Sequence, residues 1–106
     1  MVGFMRIAGN LFADLPQVVE GEVFEDLLRC RNLQIERIVS SDSPDSGQYD
    51  QTQDEWVCLL QGEATLRAGD YRFIPARTSH RVLKTSREPC CLWLAVHLYP
   101  ERPPLS

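Results

Sequence analysis

The chain has two histidines, His80 and His97. An imidazole titrates near neutral pH and readily ligates metals, so these two positions are the first places to look for chemistry. His80 ends a segment, residues 69–80, that reads as a turn at Gly69 and Asp70, a short apolar strand, a stop at Pro75 and a polar turn into another strand. Glu55 opens an apolar run over residues 55–60. With a strand period of two it shares a face with Val57 and Leu59, while Trp56, Cys58 and Leu60 face the other way. A carboxylate set against apolar walls is costly unless it is neutralised, paired or metal-bound. Glu55 and His80 are therefore read either as parts of a metal site or as a hydrogen-bonded polar pair inside a barrel. A metal-free role for His80 as general base is a third reading.

The remaining reactive residue types have plainer readings. His97 shares a strand face with Cys91, Trp93 and Ala95, whereas Leu92, Leu94, Val96 and Leu98 form the other face. The aliphatic face is expected to be the core side, turning His97 to a second layer, a partner or solvent, with entry into a pocket kept as the alternative. The four cysteines, Cys30, Cys58, Cys90 and Cys91, contain no C-x-x-C spacing and read as buried strand thiols in a reducing compartment. Arg72, Arg77 and Arg81 surround the His80 segment. They could grip an anionic group bidentately, or mark a solvated strand face. Trp56 and Trp93 read as packing or interface aromatics, and Tyr49 and Tyr71 as candidate pocket-lining residues.

The elements that must position these residues are short strands. Residues 33–40 alternate and are rich in branched side chains. In residues 22–30 Val23, Leu27 and Cys30 have helical spacing, but the turn at Arg31 and Asn32 into the next strand reads the segment as a strand. Strands are further expected over residues 55–60, 71–74, 80–84 and 90–99, with a brief extended piece at 64–67. Residues 1–20 read as an N-terminal arm with an edge strand near 10–14, and residues 100–106 as a proline-rich tail. Many short strands with turn chemistry between them make one all-β domain over residues 1–106, a barrel or sandwich.

Composition narrows the function classes. A formal net charge of −4, from 11 basic and 15 acidic residues, gives no basic patch for nucleic acid. The apolar runs are far shorter than the ~20 residues a membrane helix needs. With no apolar leader segment near the N-terminus, the expected location is the cytoplasm.

Two spaced motifs resemble those of the cupin superfamily, the double-stranded β-helix or jelly-roll barrels. Gly69, Pro75 and His80 match the spacing of the second family motif, with Arg77 where the pattern usually has glycine and Lys84 where it usually has asparagine. Glu55 and Gly62 match the end of the first motif, but its two histidines are absent; Gln48 and Asp50, or Tyr49 and Gln51, stand in their place. The segment between Gly62 and Gly69 is also shorter than the family usually carries, as though an intermotif hairpin were lost or a stretch were missing. The resemblance implies a cupin-like barrel, a pocket holding a small ligand, and a homodimer. It also implies a sparse divalent metal site for manganese, iron, nickel or zinc. His80 and Glu55 would be its ligands, with side-chain oxygens from Asp50 or Gln51. Tyr49, Tyr71, Arg77 and His97 are then the candidate pocket residues.

Three functions follow from that resemblance: a barrel that binds a metal or a small polar metabolite, a metal-dependent dioxygenase or isomerase, and a metal-free structural or ligand-sensing barrel. The missing histidines weigh against oxygen activation, which needs strong nitrogen ligands. Binding is the expected role, with catalysis left open.

Overall fold

The computed structural model describes residues 8–43, 51–78 and 84–100. Within them the chain forms five strands and no helix, hence no helix long and apolar enough to cross a membrane. These are β1 (Glu22–Cys30), β2 (Leu33–Ser40), β3 (Asp54–Gln61), β4 (Tyr71–Ile74) and β5 (Cys91–Leu98). They make one antiparallel sheet in the order β1-β2-β5-β3-β4.

β2 to β5 lie where apolar patterning and turn chemistry place them, and β1 is a strand although Val23, Leu27 and Cys30 have helical spacing. β1 and β2 join through Arg31 and Asn32, with Arg31 in the left-handed region at φ 54. A register shift between Asp26 and Leu28 marks a bulge in β1. The carbonyl of Asn32 accepts the Tyr99 amide at 2.9 Å, pinning the end of β5 to this hairpin. β3 and β4 are joined by residues 62–70. Leu59 N donates to Asp70 O at 3.0 Å and Gly69 N to Leu59 O at 2.7 Å. The extended piece expected at 64–67 reduces to one bridge between Glu63 and Arg67. Of the strand expected at 80–84 only Lys84 is described, and it lies outside any strand; residues 80–83 lie outside the described residues.

The edge strand expected at residues 10–14 is a turn instead. The Asn10 side chain accepts the Phe12 amide at 2.8 Å, Ala13 N donates to Asn10 O, and Asp14 sits at φ 53. The carbonyls a strand would need for pairing are taken by Arg37. Its guanidinium donates to Leu11 O, Ala13 O and Asp14 O while holding both oxygens of Glu25. A buried arginine thus satisfies itself by wrapping the N-terminal arm around the sheet.

The sheet is curled. A flat five-stranded sheet would keep its outer strands ~19 Å apart, yet residues of β1 and β4 line one cavity of about 180 Å³. The concave side carries the core: Ile38, Val57, Leu59, Ile74, Cys91, Trp93 and Ala95, with Ala64 and Leu66 packed against it. This corrects the expectation for β5. Its aliphatic face is the convex one, where Leu92 is buried, Leu94 and Val96 are half-buried and Leu98 is exposed. The concave face holds Cys91, Trp93, Ala95 and His97, all buried. A tight interior favours small residues such as Cys91 and Ala95 next to one large one. All four cysteines are free thiols, with Cys91 buried, Cys58 and Cys90 half-buried, and Cys30 exposed at the hairpin end.

Gly62, at φ 94, lies against the start of β5: a Cβ there would stand 2.9 Å from Cys90 O, Cys91 Cα and Cys91 Sγ. Gly69 has a similar φ of 95 but open space around it. Gly62→Ala should therefore lower unfolding stability by about 2 kcal/mol or more, and Gly69→Ala by about 1 kcal/mol, from backbone strain alone. Urea denaturation reads both; equal losses would contradict the close approach at Gly62.

Candidate functional site

The concave side ends in a cavity of about 180 Å³ with a divided wall. Phe24, Ile38, Val57, Ile74 and Trp93 make its apolar part, and Glu22, Glu36, Gln51, Glu55 and His97 its polar part. An apolar pocket with a few convergent polar groups is the usual form of a small-molecule site.

Strand pairing explains why these polar residues meet. His97 on β5 lies opposite Gln34 on β2 and opposite Glu55 on β3. Glu36 lies opposite Ala95, one diagonal step from His97. His97 Nε2 and Glu36 Oε1 are 2.7 Å apart, with both side chains buried. His97 Nδ1 is 3.2 Å from the Gln53 side-chain nitrogen. With the ring neutral, Nε2–H donates to Glu36 and Nδ1 accepts from Gln53. With the ring charged, the Gln53 amide turns over to accept from Nδ1–H.

The neighbouring groups are equally anchored. Gln51 Nε2 donates to Glu55 Oε1 at 3.0 Å. Ser40 Oγ donates to Glu22 Oε2 at 3.0 Å and accepts from Trp93 Nε1 at 3.0 Å, so the cavity floor holds the Glu22 carboxylate in place. Behind the pair, Tyr99 donates to Gln34 Oε1 and Gln34 Nε2 donates to Asp26 Oδ1, which Arg29 also binds through its second oxygen. The Arg29 and Gln34 hydrogen bonds hold the Asp26 pKa below its usual value. Burial by itself favours the neutral form of His97. The hydrogen bond to Glu36 and the charges of Glu55, Glu36 and Asp26 outweigh it, and the His97 pKa is raised.

The residues singled out from the sequence divide three ways. Glu55, Gln51 and His97 come together on the cavity wall. Tyr71 and Arg77 do not line it. Tyr71 pairs with Cys58 on the convex face and stacks on Trp56 at 5.6 Å, while Arg77 is an exposed turn residue at φ 63 whose amide donates to Gln51 O. Strand parity turns Tyr71 outward, and the turn after Pro75 carries Arg77 away. His80, Asp50 and Tyr49 lie outside the described residues. The residues missed are Glu36 and Glu22, together with the cavity position of Trp93. Their signal was a polar inner face on β2, where Gln34, Glu36 and Ser40 share one side with Ile38.

Among the described residues no three His, Cys, Asp or Glu side chains group as a metal-ligand set. Gln51 presents its amide nitrogen, not its oxygen, to Glu55. The described donors by themselves therefore do not make a metal site.

The curled all-β sheet, closed around a polar-tipped cavity, has the cupin-like barrel fold. No family model matches the chain, and no curated protein matches it. Among solved structures it is similar to a crystal structure of a putative mannose-6-phosphate isomerase from Ralstonia eutropha JMP134. The two share 40% sequence identity and a TM-score of 0.74, over 87% of this chain and 97% of that one. At that identity and coverage, the chain belongs to the same family as the Ralstonia protein.

The raised His97 pKa makes stability depend on pH. The folded-state value lies above the unfolded ~6.5, so its contribution is full below that pH and is lost as pH rises through the folded value. Thermal midpoints of the protein should fall between about pH 6 and pH 8 relative to those of His97→Gln. Parallel curves for the two proteins would contradict the pairing.

Proposed function

We propose that the protein is a single-domain jelly-roll cupin that binds a small hydroxylated carbonyl metabolite of the monosaccharide class in its cavity and isomerises it by proton transfer. The observation that carries this reading is the row across β2, β5 and β3. Glu36 and Glu55 flank His97 on one buried wall of a cavity whose other lining residues are largely apolar. Carboxylates in such surroundings are suited to taking a proton from carbon next to a carbonyl and returning it one carbon along. The interconversion needs no outside oxidant or reductant. The Ralstonia relative, described as an isomerase of a sugar phosphate, is in keeping with this class of reaction. No Lys or Arg occurs among the described cavity-lining residues, so free sugars are to be tested beside their phosphates.

The experiment is incubation with mannose, glucose and fructose and with their 6-phosphates in deuterium oxide, followed by NMR. At least one sugar should gain deuterium at the carbons flanking its carbonyl and convert to its isomer. Binding by thermal shift without exchange would leave a ligand-binding barrel and refute the isomerase.

A second reading adds a divalent cation, favoured by the position of Glu55 on the cavity wall. Its remaining ligands would be His80 and an oxygen from Asp50 or Gln51. Elemental analysis of untagged protein purified without added metal should then find near-stoichiometric manganese, iron, nickel or zinc, and His80→Ala should lose it. Metal retained in that variant would remove His80 as a ligand.

A further inference from the structure

Two carboxylates and an imidazole share the proton-transfer wall, and their hydrogen bonds differ. Both nitrogens of His97 are engaged by the protein, Nε2 by Glu36 and Nδ1 by Gln53. Neither nitrogen is left to face a ligand. Glu36 differs: Oε1 is bound to His97, while Oε2 makes no hydrogen bond among the described residues. Among the described residues no enclosed side-chain oxygen or nitrogen lacks a partner, so Oε2 is not enclosed, and Glu36 lines the cavity.

We propose, resting on the isomerase reading above, that Glu36 is the carboxylate that takes and returns the substrate proton, and that His97 is its positioning residue. In the forward step the carbon–hydrogen bond beside the carbonyl breaks. The proton passes to Glu36 Oε2 and the electron pair moves into an enediolate. Return of the proton to the former carbonyl carbon, with one proton moving between the two substrate oxygens, completes the isomer with atoms and electrons conserved.

His97 suits its part for geometric reasons. Its hydrogen bond to Oε1 fixes the Glu36 rotamer and leaves the other oxygen without a hydrogen bond among the described residues, on a side chain that lines the cavity. The Gln53 amide can satisfy Nδ1 in either charge state by turning over, so the ring can follow the charge on Glu36 without leaving a buried group unpaired. The groups facing the pair are Asp26 and Arg29 from β1, Gln34 from β2, Glu55 from β3 and Tyr99 beyond β5.

The test is solvent-deuterium exchange into whichever sugar the unmodified protein exchanges. Glu36→Gln keeps the side-chain shape and should slow exchange at least ~100-fold, with the dissociation constant for that sugar little changed. Exchange at the unmodified rate would overturn the assignment while leaving the isomerase reading intact; failure of the unmodified protein on every sugar would overturn both. His97→Asn should displace the pH profile of exchange, whereas a purely structural role would lower the rate equally at every pH and would refute positioning. Nitrogen NMR of the His97 ring in the unmodified protein gives an arm independent of folding in the variants. Recorded at a pH above the raised His97 value, the neutral ring should carry its proton at Nε2, and a neutral ring protonated only at Nδ1 overturns the proposal.

Discussion

β5 is paired along both edges, with β2 on one side and β3 on the other, and the site depends on those two ladders. They set His97 level with Glu55 and one diagonal step from Glu36. They also stack Trp93 against Ile38 and Leu59 as the floor. Ala95 lies between Glu36 and Val57 and is small enough to leave space above that floor. A slip of one residue in either ladder would turn every one of these side chains to the convex face. Close backbone approach at Gly62, against Cys90 and Cys91, helps anchor the start of β5 where register matters most.

The polar wall is held as a connected unit. His97 is bound to Glu36 and Gln53, Glu55 to Gln51, and Glu22 to Ser40, which in turn accepts from Trp93. A further layer of Tyr99, Gln34, Asp26 and Arg29 stands behind. No enclosed side-chain polar atom among the described residues lacks a partner. Such satisfaction is costly to disturb in an apolar setting and holds charged groups in one arrangement. The convex side has a different task. There Arg37 gathers Glu25 and three carbonyls of the N-terminal arm, while Tyr71 stacks on Trp56.

Two turn positions show how local chemistry bends to the fold. Arg77 stands where the resembled motif usually has glycine, and its φ of 63 shows that the turn still takes the left-handed conformation glycine would favour. Residues 10–14 had the composition of a strand, but Asn10 caps a turn there, and a buried guanidinium claims the carbonyls of Leu11, Ala13 and Asp14. In the first case the turn kept its shape despite an unfavourable residue. In the second a long-range contact overrode local preference.

By itself the sequence determined β2 to β5 through apolar patterning and turn chemistry, and β1 through the turn at Arg31 and Asn32, while also suggesting strands at residues 10–14 and 64–67 that did not form. It also determined that Glu55 shares a face with Val57 and Leu59, because alternation along one strand is a local property. It did not determine which face of β5 was inside. Leu92, Leu94, Val96 and Leu98 form the more apolar row, yet the curl of the sheet encloses Cys91, Trp93, Ala95 and His97. Glu36 was illegible for the same reason: alternation defines two faces for each strand, and only the direction of curl decides which is concave. The pairing of Glu36 with His97 joins residues 61 positions apart, and only the tertiary register brings them within a hydrogen bond.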